Sequence, residues 1–329
     1  MSRNPLLKVV DLEKHFSIKR TSFLGHREYV YAVDRINIEL RAGETLGLVG
    51  ESGCGKSTLG RTILRLIEPT KGRIIFDGQD ITDFKGTDLK RLRPKMQIIF
   101  QDPYSSLNPR LRVEHIVGDA LKAHGLSKGS EVADQVGDIL LKVGIHPEKM
   151  KAYPHEFSGG QRQRIGIARA LILKPKLIVC DEPVSALDLS IQAHVINLLA
   201  DLKAEFNLSY IMIAHDLSVV NHISDRIAVM YLGKMIELAP NSDLLVSPLH
   251  PYTQALISAI PVLDPDKKKK RIVLQGELPS PMNPPHGCHF HPRCLRVMDL
   301  CKRVIPSWVE IEPGHFTMCH LYEQCRTEA

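Results

Sequence analysis

The stretch from Glu44 to Ile67 constrains this chain more than any other. "ETLGLVG" is a short apolar strand that runs straight into "GESGCGKST", after which Leu59, Ile63, Leu66 and Ile67 recur at helical spacing. Strand, glycine-rich loop and helix in that order open an α/β unit. The loop matches G-x-x-x-x-G-K-[ST] in full from Gly50 to Ser57, with Ser52 inside it and Thr58 just beyond. Gly50, Gly53 and Gly55 let main-chain N–H groups converge on phosphate oxygens, and the helix start adds its positive end. Lys56 is placed to reach the β- and γ-phosphates of a nucleotide, and the Ser57 hydroxyl to ligate Mg²⁺.

Such chemistry also needs a carboxylate for the metal and a group that orients the attacking water. Three further apolar runs, "MQIIFQ", "LIVC" and "YIMIA", read as buried strands, and each ends at a polar residue. That pattern fits parallel strands delivering their C-terminal ends to a shared ligand crevice. "LIVCDEP" puts Asp181 where it can hold Mg²⁺ and Glu182 where it can polarise water; the plainer alternative is an acidic pair ending a strand before Pro183. Gln101 and His215 stand at the other two strand ends, as contacts to water, metal or γ-phosphate or simply as solvated turn residues. Cys54 and Cys180 are assigned to packing.

Between about 105 and 170 the chain turns helical. Val132, Val136, Ile139, Leu140 and Val143 form one apolar stripe, closed by Gly144. A second glycine pair follows in "FSGGQRQR". Ser158 reads as an N-cap ahead of Gly159, Gly160 and Gln161, so a second helix start is open to an anion. Arg162 and Arg164 add positive charge to an already positive terminus, which disfavours the helix unless an anion sits nearby. After "SALDLS", Val195, Leu198, Leu199, Leu202 and Phe206 share one helical face.

The 329 residues carry a formal net charge of +6, but the one dense basic block, "KKKKR" at Lys267–Arg271, lies in a Pro-flanked stretch and reads as a solvated linker. Without interleaved aromatics, nothing in it points to nucleic acid. No apolar run is long enough to span a bilayer, and the charged start does not resemble a signal peptide, which makes the cytoplasm the default compartment. Five of the seven cysteines fall between Cys288 and Cys325. In a cytosolic chain such clustering favours metal over disulfides.

Taken together, "GESGCGKST", the Gln101 loop, "FSGGQ", "LIVCDEP", "SALD" (Ser185 to Asp188) and His215 resemble, in order and separation, the ATP-binding subunits of ABC transporters, over about residues 5 to 260. The resemblance implies a P-loop NTPase fold of the ABC type: a RecA-like parallel-sheet core, an antiparallel β subdomain and the helical insert at about 105–170, filling residues 1–265. It also implies a head-to-tail dimer with ATP buried between each phosphate loop and the partner's signature turn. In that family Lys56 and its loop bind phosphates, Ser57, Gln101 and Asp181 serve Mg²⁺, Glu182 is the catalytic carboxylate and His215 senses the γ-phosphate. Ser158, Gly160 and Gln161 act on the partner's nucleotide, and Asp188 bridges the two sites. Adenine stacks on an upstream aromatic, with Phe16 expected here and Tyr29 or Tyr31 as alternatives.

"SPLHPYTQALISAIP" and "GELPSPMNPPHGCHFHPRC" are similar to subunits of the dipeptide and oligopeptide import systems. The expected setting is the cytoplasmic face of the cell membrane, with a homologous ATP-binding subunit, two permeases and, indirectly, an extracytoplasmic peptide-binding protein as partners. Nickel or another solute remains open as cargo, as does a soluble ABC ATPase without transport. In that subfamily the cysteines of the tail, residues 266–329, can hold a 4Fe-4S cluster, here through Cys288, Cys294, Cys301 and Cys319 with Cys325 spare. From the residues alone four thiolates suit Fe–S or tetrahedral Zn²⁺, and His286, His289, His291 or His315 could join a zinc site. The proline-rich tail is expected to be irregular and without a core of its own, with any cluster acting as a staple.

Overall fold

The computed structural model describes residues 4–18, 28–260 and 271–323. Lys267–Lys270 of the basic block, Cys325 and the 265/266 boundary lie outside these. The strands are β1 (Leu7–Ser17), β2 (Tyr29–Leu40), β3 (Thr45–Val49), β4 (Lys71–Phe76), β5 (Gln79–Asp80), β6 (Met96–Ile99), β7 (Leu177–Asp181), β8 (Ser209–Ile213), β9 (Arg226–Tyr231), β10 (Lys234–Pro240), β11 (Val309–Glu312) and β12 (His315–Thr317). The helices are α1 (Lys56–Ile63), α2 (Gly86–Leu92), α3 (Pro103–Ser106), α4 (Val113–Ala123), α5 (Ser130–Lys142), α6 (Gly159–Leu171), α7 (Leu189–Phe206), α8 (Leu217–Ile223), α9 (Asn241–Val246) and α10 (Pro251–Ser258). They fall into two compact units, one built on Asp83–Ile213 with Leu40–Thr45, the other on Leu7–Glu39, Leu46–Thr82 and the chain from Ala214.

In the first unit β6, β7 and β8 run parallel, Ile99 opposite Cys180 and Cys180 opposite Met212. Every residue of β7 and β8 is buried, which is why both read as unbroken apolar runs. The insert between β6 and β7 holds α3 to α6. The α5 stripe is buried as its spacing requires, with Val136, Leu140 and Val143 fully enclosed. Gly144, at φ 75°, stops the helix in the left-handed region where a Cβ is disfavoured. On α7 the buried face is Val195, Ile196, Leu199 and Leu202. Leu198 and Phe206, expected on it, sit at its edge, and the Lys142 ammonium lies 5.4 Å from the Phe206 ring.

The second unit contains an antiparallel sheet in the order β2-β1-β4-β5. Beside it, β3 pairs in parallel with β9, which continues antiparallel into β10. The tail adds to this run. β11 and β12 form a hairpin around Pro313–Gly314, and β12 pairs antiparallel with β10, Glu237 opposite Thr317. One expectation is therefore corrected: the tail is not wholly irregular. Phe290, Val309 and Thr317 are buried. Phe290 packs against Tyr231 and Tyr252 with ring centroids 5.3 and 5.4 Å away. The fully buried Glu237 carboxylate accepts hydrogen bonds from the N–H groups of Leu249 and His250 and pairs with His315 Nε2 at 2.8 Å. A buried carboxylate is tolerable only with such a full set of partners, so Glu237 fixes the tail hairpin to the sheet.

Candidate nucleotide site

The phosphate loop lies in the second unit. Gly50 and Gly55 have φ of 152° and 107°, and a Cβ on either would come within 2.2 Å of Met230 O and 2.0 Å of Ala32 O respectively. Glycine is required at both by close main-chain approach as well as by φ. Gly53, at φ 79°, has open space around it. Lys56 is 4% exposed, and its Nζ donates to Gly50 O at 2.7 Å and Glu51 O at 2.9 Å. The loop thus wraps its own ammonium group. Ser52 is exposed, Ser57 is half-buried at the first turn of α1, and Thr58 O accepts from Thr62 Oγ1. Burial pushes the Cys54 and Cys180 thiols up, in keeping with packing roles. His215, in the turn after β8, is exposed.

The acidic turn after β7 lies in the first unit. Asp181 ends β7 and is 1% exposed. Glu182 follows with φ 49°, a left-handed conformation unusual for a side-chain-bearing residue. Its N–H donates to Ile213 O and its carbonyl accepts from Ser185, so the "DEP" turn is pinned to the end of β8. Gln101 Nε2 donates to Glu182 Oε2 at 2.8 Å. Two strand-end residues 81 positions apart in sequence thus meet, as expected of parallel strands sharing a crevice. Asp188, at the N-cap of α7, is exposed.

Ser158 caps α6 as its sequence predicts. Its Oγ accepts from Gln161 N, while Gln161 Oε1 accepts from Ser158 N. A Cβ on Gly160 would meet Ile191 Cγ2 at 2.6 Å, so this glycine lets α7 pack onto α6, while Gly159 has ordinary clearance. Arg162 and Arg164 are engaged within the fold rather than left to repel one another at the helix start. Arg162 Nε donates to Pro154 O and its guanidinium lies 4.1 Å from the Tyr104 ring, while Arg164 Nη1 donates to Val143 O. Their charge is taken up by carbonyls and a ring, so it does not by itself call for an anion. Phe16 is 38% exposed with the Lys14 ammonium 5.0 Å from its ring, and Tyr31 packs edge-on against His15.

A family model for ABC transporters matches residues 33–185, and one for the C-terminal region of oligopeptide/dipeptide transporters matches 236–301. The oligopeptide transport ATP-binding protein AppF of Bacillus subtilis is 53% identical over 98% of this chain and 98% of its own length. The chain belongs to the ATP-binding subunits of ABC transporters. The putative oligopeptide transport ATP-binding protein YkfD of the same organism is 51% identical over 100% of this chain and 99% of its own. Among solved structures, the dimeric post-hydrolysis ATP-binding cassette MJ0796, bound to ADP and Pi, matches with TM-score 0.64 at 27% identity over 71% of this chain and 98% of its own. CbiO1 of Clostridium perfringens, from the cbiONQ ABC transporter complex, matches with TM-score 0.63 at 27% identity over 74% and 92%. This ABC ATPase has, among the described residues, no helix long and apolar enough to cross a membrane.

The tail cysteines are all free thiols among the described residues. Burial pushes Cys319 up to about 12, and the thiols of Cys288, Cys294 and Cys301 add to the shift, so the four lie within electrostatic reach of one another. Cys288 is pushed up to about 11 by burial, against which the N–H groups of Phe290 and His291 favour its thiolate. Arg296 N donates to Cys294 Sγ at 3.4 Å. As placed, no three His, Cys, Asp or Glu side chains among the described residues make a group that could hold a metal ion. Three of the histidines weighed as zinc ligands are engaged elsewhere: His289 with Leu232 O, His291 with Cys288 O and His315 with Glu237.

Proposed function

We propose that this ABC ATPase powers uptake of di- and oligopeptides through a membrane importer. The observation that carries the reading is the end-to-end match to oligopeptide transport ATP-binding proteins, which includes the tail as well as the cassette. Lys56 and the main-chain N–H groups of Gly50, Ser52, Gly53, Gly55, Ser57 and Thr58 bind the ATP phosphates, and Phe16 stacks on adenine. Ser57, Gln101 and Asp181 are oxygen donors of the kind Mg²⁺ takes, and the ion when bound offsets phosphate charge. Glu182, oriented by Gln101, accepts the proton of the attacking water, and His215 contacts the γ-phosphate. Ser158, Gly160 and Gln161 close over a partner subunit's nucleotide, with Asp188 between the two sites. The subunit sits peripherally on the cytoplasmic face, joined to a homologous ATPase and two permeases. Residues 1–265 form the nucleotide-binding domain, its helical part at about 105–170, and 266–329 the extension.

Reconstituted with its cognate permeases and binding protein in vesicles, the chain is expected to drive ATP-dependent accumulation of labelled di- or oligopeptide. Uptake of a nickel chelate with no response to any peptide would overturn the cargo.

The likeness to the peptide importers carries over a 4Fe-4S cluster on Cys288, Cys294, Cys301 and Cys319. The four thiols are free and near one another. Assembly would have to draw them together, since as placed they make no metal-holding group. The engagement of His289, His291 and His315 favours an all-thiolate site over a mixed one and leaves Zn²⁺ on four cysteines as the alternative. Protein purified without oxygen is expected to contain about four iron and four acid-labile sulfide per chain. Stoichiometric zinc without sulfide would refute the cluster.

A further inference from the structure

Glu51, the first variable residue of the phosphate loop, is gripped from three directions. Its N–H donates to Tyr252 Oη at 2.8 Å, and its carbonyl accepts from Lys56 Nζ. Its two carboxylate oxygens accept from Arg293, Nη1 to Oε2 at 2.7 Å and Nη2 to Oε1 at 3.1 Å. This bidentate fork joins residues 242 positions apart, with the Arg293 side chain 9% exposed and that of Glu51 28%.

Arg293 does not arrive there on a loose chain. It closes the short 3-10 turn His291–Arg293, its N–H donating to Phe290 O, and Phe290 is wedged between Tyr231 and Tyr252. Phe290 is thus the plug and Arg293 the hook of one connection between the cysteine-rich region and the loop.

A carboxylate beside Gly50 is a hazard in a loop that receives phosphates, because like charges repel and the surroundings are only partly solvated. A bidentate arginine cancels that charge and fixes the side chain away from other partners. We infer that Arg293 is a positioning residue for nucleotide binding, holding and neutralising Glu51 so that the C-terminal region sets the affinity of the phosphate loop. The inference rests on Gly50–Thr58 being the phosphate site, and it needs no metal in the tail.

Equilibrium binding of Mg-ATP to the full chain, by titration calorimetry, tests it. Arg293→Gln is expected to raise Kd about tenfold, the value of one charge-assisted fork, with the loss appearing in KM rather than kcat. Arg293→Lys, which keeps the charge and loses the fork, is expected to fall between wild type and Arg293→Gln. The double variant Glu51→Gln/Arg293→Gln, in which neither charge remains, is expected to bind within about threefold of wild type, the residue of an imperfect charge-pair deletion. A merely structural arginine would leave the double variant as weak as Arg293→Gln. That result, or wild-type affinity in Arg293→Gln, would overturn the inference. Lys56→Ala serves as the control. If it leaves binding intact, the phosphate-site reading fails independently of Arg293; if it abolishes binding while Arg293→Gln is silent, only the clamp fails.

Discussion

Glu182→Gln is expected to leave Mg-ATP affinity within a fewfold of wild type and to slow hydrolysis by about three orders of magnitude, within the range lost when a general base is removed. The reason is local. Glu182 stands past the end of β7 with φ 49°, its main chain pinned by Ile213 and Ser185 and its Oε2 held by Gln101 at 2.8 Å. Glutamine preserves the shape and can still bond an amide, but it cannot take a proton from water at neutral pH. Binding determined by Lys56 and the loop is untouched, so ATP is retained and a long-lived ATP-bound dimer accumulates. Steady-state phosphate release together with light scattering under saturating Mg-ATP reads both effects. Turnover within tenfold of wild type would remove Glu182 from its role.

Lys56→Ala is expected to weaken nucleotide affinity at least a hundredfold, in line with deleting one partner of a buried charge-assisted contact. The Lys56 ammonium is almost wholly buried and lies between the carbonyls of Gly50 and Glu51, the one cation that the loop itself encloses. Alanine removes the charge and the donor that joins the two carbonyls, leaving Glu51 O with the Cys54 N–H, so the loop loses its shape as well as its attraction. Fluorescence titration with an ATP analogue, alongside a circular-dichroism melt to confirm folding, separates the two effects. An affinity within threefold of wild type in a folded variant would break the phosphate-loop assignment.

Much of this was legible from local chemistry. Gly50 and Gly55 are glycines because φ and close approach demand it, and the strand and helix around them follow from apolar spacing. The Ser158–Gln161 cap and the buried stripe of α5 follow from sequence in the same way. The meeting of Gln101 with Glu182 was foreseeable only as far as both end parallel strands. The arginines after Gly160 misled, since their charge finds partners in carbonyls that spacing cannot locate. The β11–β12 hairpin had a signal, a Pro-Gly turn between short segments, hidden in a region whose prolines argued against regular structure.

What the sequence determined alone was every feature whose cause lies within a few residues: glycine turns, caps, apolar periodicity and the order of the motifs. The tertiary structure alone decided which distant groups meet, as Arg293 with Glu51 and His315 with Glu237 do. Those pairings depend on how the tail hairpin adds to β10 and how Phe290 seats against Tyr231 and Tyr252. Sequence separation carries no information about such closures, because the entropy of closing a long loop changes only slowly with its length and packing selects the contact.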